Sequence, residues 1–401
     1  MKTTRLLHIA AFLLLGCAST GPSDSDTQGE ICTTALDDAS DGDVAGGDSG
    51  TDITGFAGHY NYEDIAFPAH FKANFPGGKP VLDQDNTPEN NPITNAGATL
   101  GRVLFYDANL SANGTIACAS CHKAEFGFSD DRVLSRGFED GETGRHAMSL
   151  TNARFYAPGM FFWDQRAATL EEQVLMPFQD PIEMGMTLDS LIAAVEAQDY
   201  YPLLFEKAFG DCAVTPERIS KALAQFVRSL VSYRSPYDIG RAQVELAKDD
   251  FPNFTDEENL GKRIFMSTPK TGNGGGCAVC HQGETMSASA ANNNGLDADW
   301  EQDTGYGEVT GRPEDMGMFK VPSLRNVAVR ARFMHDGRFS TLREVVDHYG
   351  DGVQFNPNLG IPLSKDRLNL SDTDRQALVA FLKTLTDEDM LYDPKFASPF
   401  Q

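Results

Sequence analysis

The chain has 401 residues, 41% of them hydrophobic, and a formal net charge of −25. That length supports a sizeable core and about two domains. A surface so acidic is poorly matched to nucleic acid or to an anionic membrane face; it suits a cationic protein partner or a small neutral substrate.

The N-terminus reads as an address. Met1 to Arg5 supply positive charge, and Leu6 to Leu15 supply an apolar run too short for a membrane span. Residues 1–17 close on Leu14-Leu15-Gly16-Cys17, which resembles a bacterial lipoprotein signal, so Cys17 is the expected lipidation site. Leu15 is bulky for such a signal, which keeps ordinary signal cleavage open. Both routes export the protein to the periplasmic side of a bacterial membrane. Residues 18–56 follow as a disordered acidic tether, because their sparse apolar side chains cannot offset the entropy of ordering. Cys32 in this tether could pair with Cys212 in an oxidising compartment.

The rest is organised around Cys118-Ala119-Ser120-Cys121-His122 and its echo Cys277-Ala278-Val279-Cys280-His281, and is expected to be mostly α, as two tandem cytochrome c-like haem domains at residues 57–244 and 245–401. Two thiols so spaced reach the two vinyl groups on one porphyrin edge, and the next histidine is set against the iron. One copy alone could be a zinc site or a thioredoxin-like redox pair. Two copies, both ending in histidine in an exported chain, favour two covalently bound haem c groups. The surroundings repeat as well. Leu100-Gly101-Arg102-Val103-Leu104-Phe105 precedes the first run, and Leu260-Gly261-Lys262-Arg263-Ile264-Phe265 precedes the second. Each half closes on a helix with one apolar stripe: Leu223, Phe226, Val227 and Leu230 in the first, Leu378, Phe381, Leu382 and Leu385 in the second. The polar stretch from Tyr237 to Asn253 holds the boundary.

The first half carries extra chain between His122 and its closing helix. Trp163, Gln173, Pro177 and Glu183 fall close together there, as groups a distal pocket could use. Pro177 is expected to end a helix that holds Glu171 and Gln173. A carboxyl group such as Glu183 could take a proton from one peroxide oxygen and return it to the other. In isolation, Glu183 reads as a surface carboxylate and Trp163 as a core aromatic. The haem context favours the functional reading.

From about Asn91 to Leu385 the chain resembles the bacterial diheme cytochrome c peroxidase and MauG family. The resemblance rests on both haem runs, Leu100 to Phe105 with Asp107, Phe162-Trp163-Asp164, Gln173, Pro177 and Glu183-Met184. It continues through Val321-Pro322-Ser323-Leu324-Arg325-Asn326 and His335-Asp336-Gly337. It implies hydrogen peroxide chemistry at the haem of His122 and electron transfer through the haem of His281. Trp163 would lie between the haems, with Gln173 and Glu183 in the peroxide pocket. Three departures matter. Phe138 stands where peroxidases needing reductive activation keep a distal histidine. Tyr349 falls where typical peroxidases keep the methionine that binds the second iron, a tyrosine shared by MauG-type enzymes. His146 replaces an asparagine of the family's inter-haem calcium site, which puts calcium in question because that ion prefers oxygen ligands. His335 reads as structural, and His59 and His70 as ordinary polar residues. His348 and, more weakly, Met316, Met318 and Met334 compete with Tyr349 for the iron. The expected function is an exported diheme c-type peroxidase that draws electrons from a donor or redox partner protein. Oxidation of side chains on a partner protein is the alternative within this class. A purely electron-transferring, membrane-anchored diheme cytochrome is the alternative outside it.

Overall fold

The computed structural model describes residues 60–74, 78–267, 275–288, 290–360, 363 and 368–400. The signal, Cys17, the tether with Cys32, and His59 lie outside them. Among the described residues the fold is helical, with isolated β-bridges and no sheet. None of these helices is long and apolar enough to cross a membrane.

The first core is built on two crossed helices. Asn95–Tyr106 begins where the Thr94 hydroxyl accepts from Gly97 N–H, and Pro216–Ser229 begins at Thr215 with Pro216 in its first turn. They touch at Gly101, where an added Cβ would lie 2.0 Å from the Ala222 carbonyl oxygen. Phe105 and Phe226 pack beside that contact with ring centroids 5.2 Å apart.

The second core repeats this unit. Asp256–Met266 starts from a Thr255–Glu258 capping box, and Asp372–Lys383 from a Ser371–Asp374 box. Gly261 meets the second helix as Gly101 meets the first, with an added Cβ 1.8 Å from the Ala377 carbonyl oxygen. Phe265 and Phe381 lie 5.1 Å apart. The two apolar stripes read from the sequence are buried in these cores.

The chain does not divide cleanly at the polar stretch. Tyr237, on the Pro236–Arg241 helix, packs in the second core, while Met390 and Phe396 near the C-terminus pack in the first. The returning tail is tied down by Tyr62 O–H to Lys395 O (2.7 Å), Tyr106 O–H to Phe396 O (2.6 Å) and Arg102 Nε–H to Ala397 O (2.7 Å). Cys212 is disulfide-bonded.

One local expectation fails. Pro177 does not end the helix of Gln173. That helix, Leu170–Gln173, stops by itself, and Pro177 sits in the first turn of the next, Met176–Gln179. A proline is harmless there, because that N–H has no helical acceptor.

Candidate functional site

Cys118–Cys121 is a single helical turn that brings both thiols to one face, with His122 as its C-cap. The His122 Nδ1–H donates to the Phe128 carbonyl (3.0 Å), which leaves Nε2 bare as a ligand. The second half repeats the device with His281 Nδ1 and the Met286 carbonyl, 3.2 Å apart. Both acceptors lie on left-handed residues, Phe128 at φ 59° and Met286 at φ 50°. Burial pushes the Cys118 and Cys277 thiols up to about 12 and holds His281 down to about 4. All four thiols are unpaired, and among the described residues no His, Cys, Asp or Glu group of three or more is placed to hold a metal ion. Protonated thiols beside a neutral imidazole fit thioether attachment of haem c better than zinc or disulfide exchange.

The first cavity is lined by Cys118, Cys121 and His122 together with Gln173, Pro177 and Glu183. Thr169 caps the turn that carries Gln173. Glu171 in the same turn is an anchor: both its oxygens pair with Arg228 (2.6 and 3.0 Å) on the closing helix. The Glu183 loop is held by Asp180, whose Oδ1 accepts from Ile182 N–H (2.8 Å) and Glu183 N–H (3.2 Å). The Glu183 carboxyl group has no hydrogen bond or ion pair among the described residues. Burial, and then the charge of Asp180, push it up to about 7, with Arg166 opposing. Phe138 sits in a tight hairpin, bridged from Arg136 to Glu142, and its ring presses on Gly185. It does not line the cavity, whose only described histidine is His122.

The second cavity is lined by Cys277, Cys280, His281, Met334 and Tyr349. Tyr349 sits in a single π-helical turn, His348–Gly352, a feature frequent at functional sites. Burial pushes its phenol up to about 12, against a hydrogen bond from Asn294. His348 and Met334 both bond to Asn294, although Met334 shares the cavity with Tyr349. His348 Nε2 lies 3.1 Å from the Asn294 carbonyl oxygen, and Asn294 Nδ2 donates to Met334 Sδ (3.3 Å). Met316 packs on Gly307, and neither it nor Met318 lines the cavity.

Trp163 stands between the two. It lines the second cavity and also a larger one, about 660 Å³, shared with His122, Gln173 and Glu183. Its Nε1–H donates to the His146 carbonyl (2.8 Å), and its ring meets His335 edge-on at 6.4 Å. His335 in turn stacks on Phe319 at 3.7 Å. Reciprocal backbone bonds lock the pair: His146 N–H to His335 O and Lys320 N–H to Trp163 O, both 2.8 Å. The His146 ring faces the Arg132 and Val133 carbonyls (3.0 and 3.2 Å) and the Ser129 hydroxyl (3.3 Å). Beside it, Arg145 holds Asp303 and Asp164. An imidazole and a guanidinium are a poor set for calcium, and the residues here do not fit that ion. His70 is buried against Asp238 at 3.0 Å and lines neither cavity.

The sequence did not expose Lys320, Asn294 or the Arg145–Asp303 pair, since each acquires meaning only from a neighbour distant in the chain.

Residues 95–243 match the family described as di-haem cytochrome c peroxidase, and residues 259–386 match cytochrome c. The methylamine utilization protein MauG of Methylophilus methylotrophus is 33% identical over 79% of this chain and 90% of its own. The cytochrome c551 peroxidase of Nitrosomonas europaea is 32% identical over 78% and 84%. A solved MauG-like protein associated with microbial copper homeostasis superposes with a TM-score of 0.67 at 31% identity, over 79% of this chain and 97% of its own. Haem c is the cofactor that both matched families imply, and the chain belongs to the diheme cytochrome c peroxidase and MauG family.

Proposed function

We propose that this oxidoreductase reacts with hydrogen peroxide in the first cavity and exchanges electrons with the second through Trp163. One observation carries the reading: Gln173, Pro177 and Glu183 line the same cavity as Cys118, Cys121 and His122. Cys118, Cys121 and His122 would hold one haem c, and Cys277, Cys280, His281 and Tyr349 the other. The haem would supply the iron at which peroxide is reduced. Around it the chain acts as a proton manager. Glu183, pushed up to about 7, holds the proton that must leave one peroxide oxygen and reach the other. Gln173 offers an amide to orient the substrate. Trp163 donates its Nε1–H to a backbone carbonyl, which cannot take the proton, so the indole conducts charge without being deprotonated.

Glu183→Gln tests this. Peroxide should still bind, by spectral titration, while its reaction slows by roughly two to four orders of magnitude. An unchanged rate would remove Glu183 from the mechanism.

Within the family, oxidation of side chains on a partner protein is the reading that Tyr349 favours. A buried phenol lines the second cavity, while His348 and Met334 are tied to Asn294. We further propose residues 57–244 and 245–401 as the two haem domains, with the segment around Tyr237 and the tail at Met390 and Phe396 exchanged between their cores. Export to the periplasmic side, with a lipid on Cys17, completes the proposal. Cys17→Ser should then move the protein from the membrane fraction to the soluble one.

A further inference from the structure

Three cations line the second cavity: Lys320, Arg330 and Arg332. In a chain of net charge −25, acid partners are abundant, yet among the described residues none of the three pairs with a carboxylate. Lys320 is 7% exposed and rests its Nζ 3.8 Å above the Tyr156 ring. Arg330 gives Nη2 to the Ser323 and Arg325 carbonyls (2.7 and 3.0 Å), while its Nε–H is buried without an acceptor. The two cations also repel each other: burial first, and then the charge of Arg330, push Lys320 down to about 7, and burial alone pushes Arg330 down to about 10. Two like charges and an orphaned donor in an apolar cavity are costly unless an anion joins them.

The cavity names the anion. It is the one lined by Cys277, Cys280 and His281, and a haem attached there brings two propionate carboxylates, each able to accept from a guanidinium and an ammonium. We propose that Arg330 and Lys320 bind the propionates of the haem held by Cys277 and Cys280. Charge balance sharpens the point and rests on Tyr349 being that haem's anionic ligand. Ferric iron, the porphyrin dianion and a phenolate sum to zero, which leaves two propionate charges, and Arg330 with Lys320 cancels both. With Arg332, half-buried in the same cavity, as a third cation, a reducing electron then enters an assembly with no net negative charge rather than a doubly negative one. The two residues therefore set how far the second haem can be reduced at all. Lys320 also lines the cavity shared with His122 and Glu183, so this anchor lies on the path between the haems.

The test uses the holoprotein, whose haems stay attached through their thioethers. Arg330→Gln and Lys320→Met each keep much of the side-chain volume and remove the charge. Each should lower the midpoint potential of the second haem and shift its propionate bending bands in resonance Raman spectra, leaving the first haem's bands in place. Arg330→Lys should recover part of the potential. If a variant does not fold, the wild-type protein still answers: transfer to D2O should shift the second haem's propionate bands, because their donors carry exchangeable protons. Unshifted bands in D2O, or a second-haem potential equal to wild type in both charge-removing variants, overturn the proposal. The Raman bands report anchoring whether or not Tyr349 binds iron. A methionine-type spectrum would thus sink the charge balance and leave the anchor standing or falling separately.

Discussion

The two halves of the molecule are the same machine with one part exchanged. Each sets a glycine against a closing helix and aims a histidine with a carbonyl from a left-handed residue. Each then passes through a bridged hairpin, Phe161 to Ala167 or Phe333 to Phe339, into a helix capped by a threonine. Trp163 and His335 hold the same place, six residues before those caps, and they meet face to edge. Eight residues after the caps stand Pro177 and Tyr349, each lining its own half's cavity. On the proposed function, a side chain with no donor atom would leave the first haem's iron open to substrate, and a phenol would offer the second a ligand. At this matched position the repeated frame carries different chemistry in its two halves.

The exchange can be pushed in both directions. Pro177→Tyr should have the largest effect, because it gives the first half the phenol of the second: peroxide reactivity should be lost while both haems remain attached, as followed by stopped-flow spectra. Tyr349→Met should work the other way, installing a sulfur-to-iron band in the near infrared and raising the second haem's potential, since an anionic oxygen favours ferric iron. A wild-type spectrum already of methionine type would end the assignment of Tyr349. Gly101→Ala and Gly261→Ala should cost about 1–3 kcal/mol each, since an added Cβ meets a backbone carbonyl that cannot swing away. Thermal melts of the two variants should agree; a large inequality would mean that the halves are not packed alike.

The smallest effect is in the pH profile. Glu183 accepts a proton only when ionised, so the peroxide rate should fall as pH drops below about 7, and this limb should vanish in Glu183→Gln. Stability runs the opposite way. Between the ordinary value of 4.5 and about 7 the folded protein keeps a proton that the unfolded chain has lost, so this carboxyl group weakens the fold as pH rises through that window. A midpoint of unfolding insensitive to Glu183→Gln at neutral pH would contradict the burial.

Much of this was legible in the chain because the decisive signals are local. Each haem run spans five residues, and the Leu-Gly repeats and apolar stripes follow helical spacing. Pro177 misled because a proline reads as a stop in sequence, while a turn away it is a start. Tyr349 was reached through family resemblance, and Glu183 through its place in the first half's extra chain after a haem run; no period or spacing marks either. Lys320 and Arg330 were invisible, since a cation without an acid is an absence that appears only once neighbours are placed, and Asn294 gains its role only from His348 and Met334, distant in the chain. The reciprocal bonds of His146 and Lys320 join segments more than 150 residues apart, as does the contact of Met390 and Phe396 with the first core.

That last contact has a consequence for biogenesis. The peroxide-facing half is translated early, yet part of its core is supplied by the final dozen residues of the chain. That core is not complete until Met390 and Phe396 have been made and have folded back onto it. A polypeptide cut short near Leu385 would yield an N-terminal half with an open hydrophobic flank rather than a working module. The tail thus acts as a seal on delivery: peroxide meets a closed first core only when the electron-supplying half is already in place behind it.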